Sequence, residues 1–166
     1  MASMKLVMEP IVLGSVVPNF ECETSMGPIN FHSFLGNSWV ILFSHPADYT
    51  PVCTTELSTV CSLVESEFKE IGVKAIALSC DNVESHKNWI HDIDAYSLNV
   101  RGCDVKMNFP IIADEDRSIA RQFNMLPASG ELDDPTSGLP MTVRSVFIIG
   151  PDKKIKLIMT YPASCG

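Results

Sequence analysis

Two nearly unbroken apolar runs, Trp39–Ser44 and Val73–Ser79, bracket a long amphipathic stretch, and that order constrains the chain more than any other feature. A short run without polar alternation suits a strand covered on both faces, as in the middle of an α/β sheet. Between the runs, Leu57, Val60, Cys61, Val64, Phe68 and Ile71 recur at spacings of three and four, separated by Glu56, Glu65, Glu67 and Lys69. That spacing predicts a helix with one apolar face, and Gly72 stands where a helix C-cap takes glycine.

The alternation continues downstream. Asp81 or Asn82 can cap a helix through about Asp94 containing Trp89 and Ile90; Phe109–Ile112 reads as a third strand and Asp114–Phe123 as a third helix. Residues 127–140, rich in Pro, Gly, Ser and Asp, form the longest loop, and Val146–Ile149 and Ile155–Met159 flank a hairpin turn at Gly150–Lys154. Strands alternating with helices and closed by a hairpin predict one α/β domain over residues 1–166, its mixed central sheet flanked by helices.

Composition narrows the function classes. Apolar residues at 46% and charged residues at 19% exclude a disordered chain. With 12 Lys+Arg against 20 Asp+Glu the formal charge is -8, which repels phosphate backbones and anionic headgroups, so no nucleic-acid partner is expected. No run reaches the ~20 apolar residues of a membrane helix. The apolar N-terminal stretch Met4–Val17 is interrupted by Glu9 and Pro10, against a signal peptide. A cytoplasmic protein with no integral membrane association is the expectation. The cysteines Cys22, Cys53, Cys61, Cys80, Cys103 and Cys165 form no C-x-x-C pair, and His32, His45, His86 and His91 stand at no metal-ligand spacing. Neither disulfides nor a metal are expected.

One cysteine stands apart. In Pro46-Ala-Asp-Tyr-Thr50-Pro-Val-Cys53-Thr-Thr-Glu56 a strand end meets a helix start, the place where α/β sheets put their chemistry. Unpaired amides and the positive end of the helix dipole favour a thiolate at Cys53. Thr50, three residues earlier, can donate to the sulfur and to a substrate oxygen, while Pro46 and Pro51 fix φ and remove two amides. A small buried hydrophobe is the alternative for such a cysteine, and position alone does not decide between them.

Pro46-x-x-x-Thr50-x-x-Cys53 matches the P-x-x-x-T/S-x-x-C active-site motif of the peroxiredoxins. Phe43-Ser-His-Pro46 with Pro51-Val-Cys-Thr-Thr-Glu56 resembles the one-cysteine, peroxiredoxin-6-type subgroup. The similarity runs from about residue 10 to the end, through Asn30–Gly36, Phe109–Ala113 and Gly150–Lys154. It implies a thioredoxin-like fold and a thiol-specific peroxidase, reducing hydrogen peroxide and organic hydroperoxides, phospholipid ones among them, through a sulfenic acid on Cys53. No cofactor is implied. Arg144, in Met141-Thr-Val-Arg144-Ser-Val-Phe147, occupies the position of the family's arginine that stabilises the thiolate and polarises the peroxide; pattern alone makes it a strand-edge surface residue. By the same resemblance His45 and Glu56 orient or tune the site, or are structural.

The family's two-cysteine members use a resolving cysteine in a Val-Cys-Pro segment, which this chain lacks; Cys165, in Tyr161–Gly166, is not its counterpart. An external thiol such as glutathione is therefore the implied reductant, with Cys103, Cys80 and Cys61 left open as internal resolvers, and a homodimer the implied assembly, although the family's further C-terminal segment, which helps form the dimer, is expected to be absent. The subgroup is also credited with a phospholipase A2 activity on a Ser-His-Asp set, whose matching positions are Ser38, His32 and Asp152. Its lipase-like Gly-x-Ser-x-Gly is broken, since Gly36-Asn37-Ser38-Trp39-Val40 ends in valine, and all three residues have plain structural readings. Two other readings stand beside the peroxidase. One is a redox sensor or holdase-like binding protein whose assembly changes when Cys53 is oxidised. The other is a dithiol oxidoreductase on the same fold, against which the missing C-x-x-C weighs.

Overall fold

In the computed structural model, which describes residues 10–128 and 132–165, both apolar runs are strands at the centre of one sheet. Residues 4–9 of the N-terminal stretch, 129–131 of the long loop and Gly166 lie outside the described residues. The elements are β1 (Glu21–Cys22), β2 (Ile29–Asn30), α1 (Phe31–Leu35), β3 (Trp39–Ser44), α2 (Pro51–Leu63) and β4 (Val73–Ser79). After them come α3 (Val83–Asn99), β5 (Ile111–Ala113), α4 (Ser118–Gln122), β6 (Arg144–Ile149) and β7 (Ile155–Tyr161). β1 and β2 pair as a small antiparallel ribbon, and the other five strands form a sheet in the order β5-β4-β3-β6-β7.

The sheet is mixed, as the strand–helix alternation and the closing hairpin predict. β3 runs parallel to β4, with Trp39 opposite Val73 and Ser44 opposite Leu78, and β4 runs parallel to β5. β6 returns antiparallel to β3, with Val40 opposite Ile149 and Ser44 opposite Ser145, and β7 completes the hairpin on the edge. Each face carries its own core. On one, Phe31, Leu35, Ile119, Phe123 and Phe147 meet Val40 and Leu42, so α1 and α4 cover that side. On the other, Cys53, Leu57, Cys61, Trp89 and Ile93 pack α2 and α3 against Ala75, Ala77 and Ile111. Each large apolar side chain so buried contributes roughly 1.5–3 kcal/mol.

Several boundaries differ from the sequence expectation. β4 is buried from Ala75 to Ser79, but β3 is only partly covered on its second face: Val40, Leu42 and Ser44 are buried, whereas Ile41 and Phe43 are half-buried beside an open cavity. α3 continues past Asp94 to Asn99 because its last turns still face α2, where the Ser97 and Ser58 hydroxyls meet at 2.7 Å. α4 begins four residues after Asp114, whose carboxylate stays outside the helix and accepts the Ile119 and Ala120 amides. β5 starts after Pro110 rather than at Phe109. α2 ends at Leu63 and passes through a π-helical segment, Val64–Phe68, before the chain turns at Gly72 with φ +69°. Among the described residues no helix is long and apolar enough to cross a membrane.

Candidate active site

The segment from His45 to Thr50 carries the chain from the end of β3 to the start of α2. Its first residue is still held by the sheet: the His45 amide donates to the Leu78 carbonyl at 3.0 Å, and the Thr142 hydroxyl donates to the His45 carbonyl at 2.7 Å. Pro46 is buried, as is Asp48. Tyr49 takes φ +57°, a conformation seldom adopted by a bulky side chain, and it brings the chain round to the helix. Thr50, extended at φ -90°, is the N-cap of α2, and Pro51 fills the first helical position, where a missing amide costs nothing.

Cys53 therefore lies in the first turn of α2, fully buried. Arg144 reaches it because of register. Ser44, the last residue of β3, pairs with Ser145, so Arg144 stands one step past the strand end, where the loop departs. Its Nη1 lies 3.6 Å from the Cys53 Sγ and donates to Glu56 Oε2 at 2.6 Å, while Nε donates to the Ala163 carbonyl at 3.1 Å. Arg144 is only 5% exposed, which sets aside the reading of a surface arginine. A buried guanidinium needs partners, and here these are a carboxylate, a carbonyl and the sulfur. A thiolate on Cys53 would meet both a cation and the amide end of a helix.

One expected contact is not made. The Thr50 hydroxyl donates back to the Ala47 carbonyl at 3.1 Å rather than to the sulfur, because an extended N-cap threonine closes easily on the carbonyl three residues before it. The His45 ring turns to Asp48 and not to Cys53, its Nε2 lying 3.0 Å from Asp48 Oδ1. The Ser38–His32–Asp152 set does not assemble either. His32 Nε2 is 2.8 Å from the Val17 carbonyl oxygen, and Asp152 accepts from Lys156 Nζ at 2.6 Å and from the Lys154 amide. His32 in α1, Ser38 in the turn before β3 and Asp152 in the β6–β7 hairpin turn make no hydrogen bond to one another.

A cluster that sequence reasoning missed lies under the loop. Asp48 Oδ1 faces His45, and its Oδ2 is shared by His86 Nδ1 and the Ser85 hydroxyl, both at 2.7 Å. The Asp48 amide donates to Asp81 Oδ2 at 3.0 Å. Burial alone would raise the Asp48 carboxyl, but the hydrogen bonds it receives from His45 and His86 outweigh it and hold the group well below the usual carboxylate range. Trp89 joins this cluster to the helix: its ring centroid is 5.1 Å from that of His45, and its Nε1 donates to the Thr54 hydroxyl at 3.1 Å. The sequence signal was slight, an aspartate inside the motif and a histidine in the first turn of α3. His45, Asp48 and Asp81 bring one ligand-type atom each within 4.8 Å of one another, but hydrogen bonds already tie the three together.

A cavity of about 370 Å³ opens beside Glu56, lined by Ile41, Phe43, Thr55, Val60 and Tyr161. The other interior thiols are of a different kind. Cys61 lies 3.4 Å from the Met107 sulfur, and burial pushes its thiol up to about 12, as it does for Cys22 and Cys80.

Comparison with known proteins supplies a family for this architecture. Residues 13–158 match the AhpC/TSA family. The chain is 48% identical over 159 residues to 1-Cys peroxiredoxin B of Oryza sativa subsp. japonica, covering 96% of this chain and 68% of that protein. It is 51% identical over 156 residues to peroxiredoxin-6 of Homo sapiens, covering 94% and 67%. Among solved structures, a cysteine-to-serine mutant of the peroxiredoxin 6 of Arenicola marina superposes with a TM-score of 0.85 at 52% identity, over 94% of this chain and 67% of that one. A yeast mitochondrial 1-Cys peroxiredoxin, described in terms of thiol resolving through glutathione/thioredoxin systems, gives 0.80 at 46% identity, over 94% and 70%.

Proposed function

This chain belongs to the AhpC/TSA family, as a one-cysteine peroxiredoxin of the peroxiredoxin-6 type, and from that premise we propose how its site works. It is a thiol-dependent peroxidase, with Cys53 as the peroxidatic residue. The observation that carries the assignment is Arg144 Nη1 at 3.6 Å from the Cys53 sulfur, with Glu56 holding the guanidinium from the other side.

The Cys53 thiolate attacks the nearer oxygen of a hydroperoxide. An S–O bond forms as the O–O bond breaks, leaving a sulfenic acid on Cys53. The departing oxygen takes the bonding electron pair and then a proton, and leaves as water or an alcohol. Arg144 first meets the negative charge of the sulfur and then that of the leaving oxygen, the place where fixed donors lower a barrier most. Glu56 keeps the guanidinium aimed. The Thr50 hydroxyl, bonded to the Ala47 carbonyl at rest, supplies a second donor after rotation about χ1. Pro46, buried at the start of the loop, fixes the backbone that carries these groups.

Hydrogen peroxide is the smallest substrate of this chemistry, and the largely apolar cavity beside Glu56 favours organic hydroperoxides as a further substrate class. The sulfenic acid is returned to thiol by an external thiol such as glutathione, one equivalent forming a mixed disulfide with loss of water and a second freeing Cys53. In support, the interior thiols of Cys22, Cys61 and Cys80 are pushed up to about 12, far from the thiolate state that attack requires. A homodimer fits the edge position of β7, where Leu157 and Met159 stay exposed. A cytoplasmic setting fits six unpaired cysteines.

Treatment with one equivalent of hydrogen peroxide in the presence of a sulfenic-acid trap, followed by intact mass and peptide mapping, tests the assignment. The trap should label Cys53 in the wild type and nothing in Cys53→Ser. A disulfide from Cys53 to another cysteine would replace the external reductant with an internal one, and an unmodified Cys53 would remove it from the chemistry.

A further inference from the structure

The cluster beneath the loop can be counted proton by proton. His86 has an acceptor at both ring nitrogens: Asp48 Oδ2 at 2.7 Å from Nδ1, and the Ile112 carbonyl oxygen at 3.2 Å from Nε2. A carbonyl has no proton to give, so Nε2 must carry one. Between Nδ1 and Asp48 Oδ2 there is one further proton. Asp48, held well below the usual carboxylate range and already taking the Ser85 hydroxyl on the same oxygen, leaves that proton on the ring. His45 is different. Its Nε2 donates to Asp48 Oδ1, while its Nδ1 is buried without a hydrogen-bond partner. A proton there would leave an unpaired charged donor in a dry site, so Nδ1 carries a bare lone pair.

We propose that His86 is a positioning residue of the peroxidase site: as a buried imidazolium it balances Asp48, and it thereby keeps the neighbouring His45 neutral with Nδ1 free to accept a proton. The assignment rests on the reading of the His45–Cys53 segment as the peroxidase site. The sum over the three side chains is then zero, one carboxylate against one imidazolium, with a neutral imidazole beside them. The Asp81 carboxylate, with an oxygen within 4.8 Å of the His45 and Asp48 ligand atoms, faces the cluster but stands outside that sum. Asp81 spends its Oδ2 on the Asp48 amide and the Ser79 hydroxyl, and Ser85 is a neutral donor. The Tyr49 hydroxyl faces the Ser85 carbonyl at 3.4 Å. Without the charge on His86, Asp48 would draw the compensating proton onto His45, and the one acceptor nitrogen at the foot of the loop would become a donor.

The test is nitrogen NMR of the full chain, 15N-labelled in its histidine rings, near neutral pH. In the wild type both ring nitrogens of His86 should give protonated signals, while His45 gives one protonated nitrogen, Nε2, and one bare one, Nδ1. In His86→Gln the bare signal of His45 should vanish as the ring takes a second proton. In Asp48→Asn, which keeps the shape and removes the charge, His86 should lose its Nδ1 proton. A bare nitrogen on His86 in the wild type overturns the proposal, and so does a His45 left unchanged in His86→Gln. Should either variant fail to fold, the wild-type spectrum alone decides. None of these signals depends on turnover, so a site that failed the sulfenic-acid test would be recognised separately.

Discussion

Cys53 and Cys61 lie on the same face of one helix, eight residues apart and equally buried, yet their surroundings share almost nothing. Cys53 sits in the first turn, with the Arg144 guanidinium at 3.6 Å. Cys61 sits two turns on, against the Met107 thioether, and burial pushes its thiol up to about 12. Burial by itself makes a cysteine inert, since desolvation favours the neutral thiol. What sets Cys53 apart is a cation delivered from another strand by sheet register, together with the end of the helix. The amphipathic pattern of α2 describes both residues equally well and distinguishes neither.

The comparison breaks most sharply under paired substitutions of the two sulfurs. Cys53→Ser should lower peroxidase kcat/KM by about 10³-fold or more, as removal of a nucleophile does. Cys61→Ala should leave turnover within about twofold and cost about 1 kcal/mol of stability, the scale of a small cavity, read by denaturant melts. If Cys61→Ala also abolished turnover, the two sites would be coupled and the contrast would fail. Next in size is Arg144→Met, which takes away the cation and leaves much of the bulk. A loss of about 10²–10³ in kcat/KM for peroxide is expected, the range for a missing donor at a developing negative charge. Glu56→Gln keeps a hydrogen-bond acceptor while removing the charge that aims Arg144, so about a tenfold loss, worth about 1.4 kcal/mol, should appear in the same assay.

Asp48 gives the smallest and most pH-specific effect. Its folded carboxyl is depressed below the unfolded value, so the stability it contributes is complete above about pH 4 and is lost as the pH falls towards the folded value. Acid unfolding of the wild type should therefore be steeper below about pH 4 than that of Asp48→Asn, measured by circular dichroism. Equal slopes would mean that the charge under the loop contributes nothing to holding it.

The parts of this design legible in the sequence were those governed by local repetition. The β3 and β4 runs, the Asn82 cap, the α2 periodicity and the β6–β7 hairpin all follow from unbroken apolar runs, the 3.6 period, and cap and turn chemistry. β1 and β2, two residues each, were too short to show a period. The open face of β3 was hidden as well, because Ile41 and Phe43 are apolar whether a helix covers them or a cavity does. At the site, the loop motif displayed Cys53, Thr50 and Pro46, but Arg144 lies 91 positions from Cys53 and was singled out by resemblance, not by pattern. Its burial and its clasp on Glu56 come from the β3–β6 register. The His45–Asp48–His86 cluster joins a loop to a helix 38 positions away, a distance over which no local pattern operates.

Trp89 gives the site an optical consequence. Its indole nitrogen is bonded to Thr54, the residue after Cys53, and its ring lies 5.1 Å from His45 and 6.4 Å from Tyr49. Trp39, the other tryptophan, is 43% exposed at the opposite end of β3. An oxygen atom added to Cys53, or any shift of the loop that carries it, should alter the emission of the buried indole while the exposed one stays constant. In Trp39→Phe the remaining fluorescence would follow peroxide consumption in real time, with no label added.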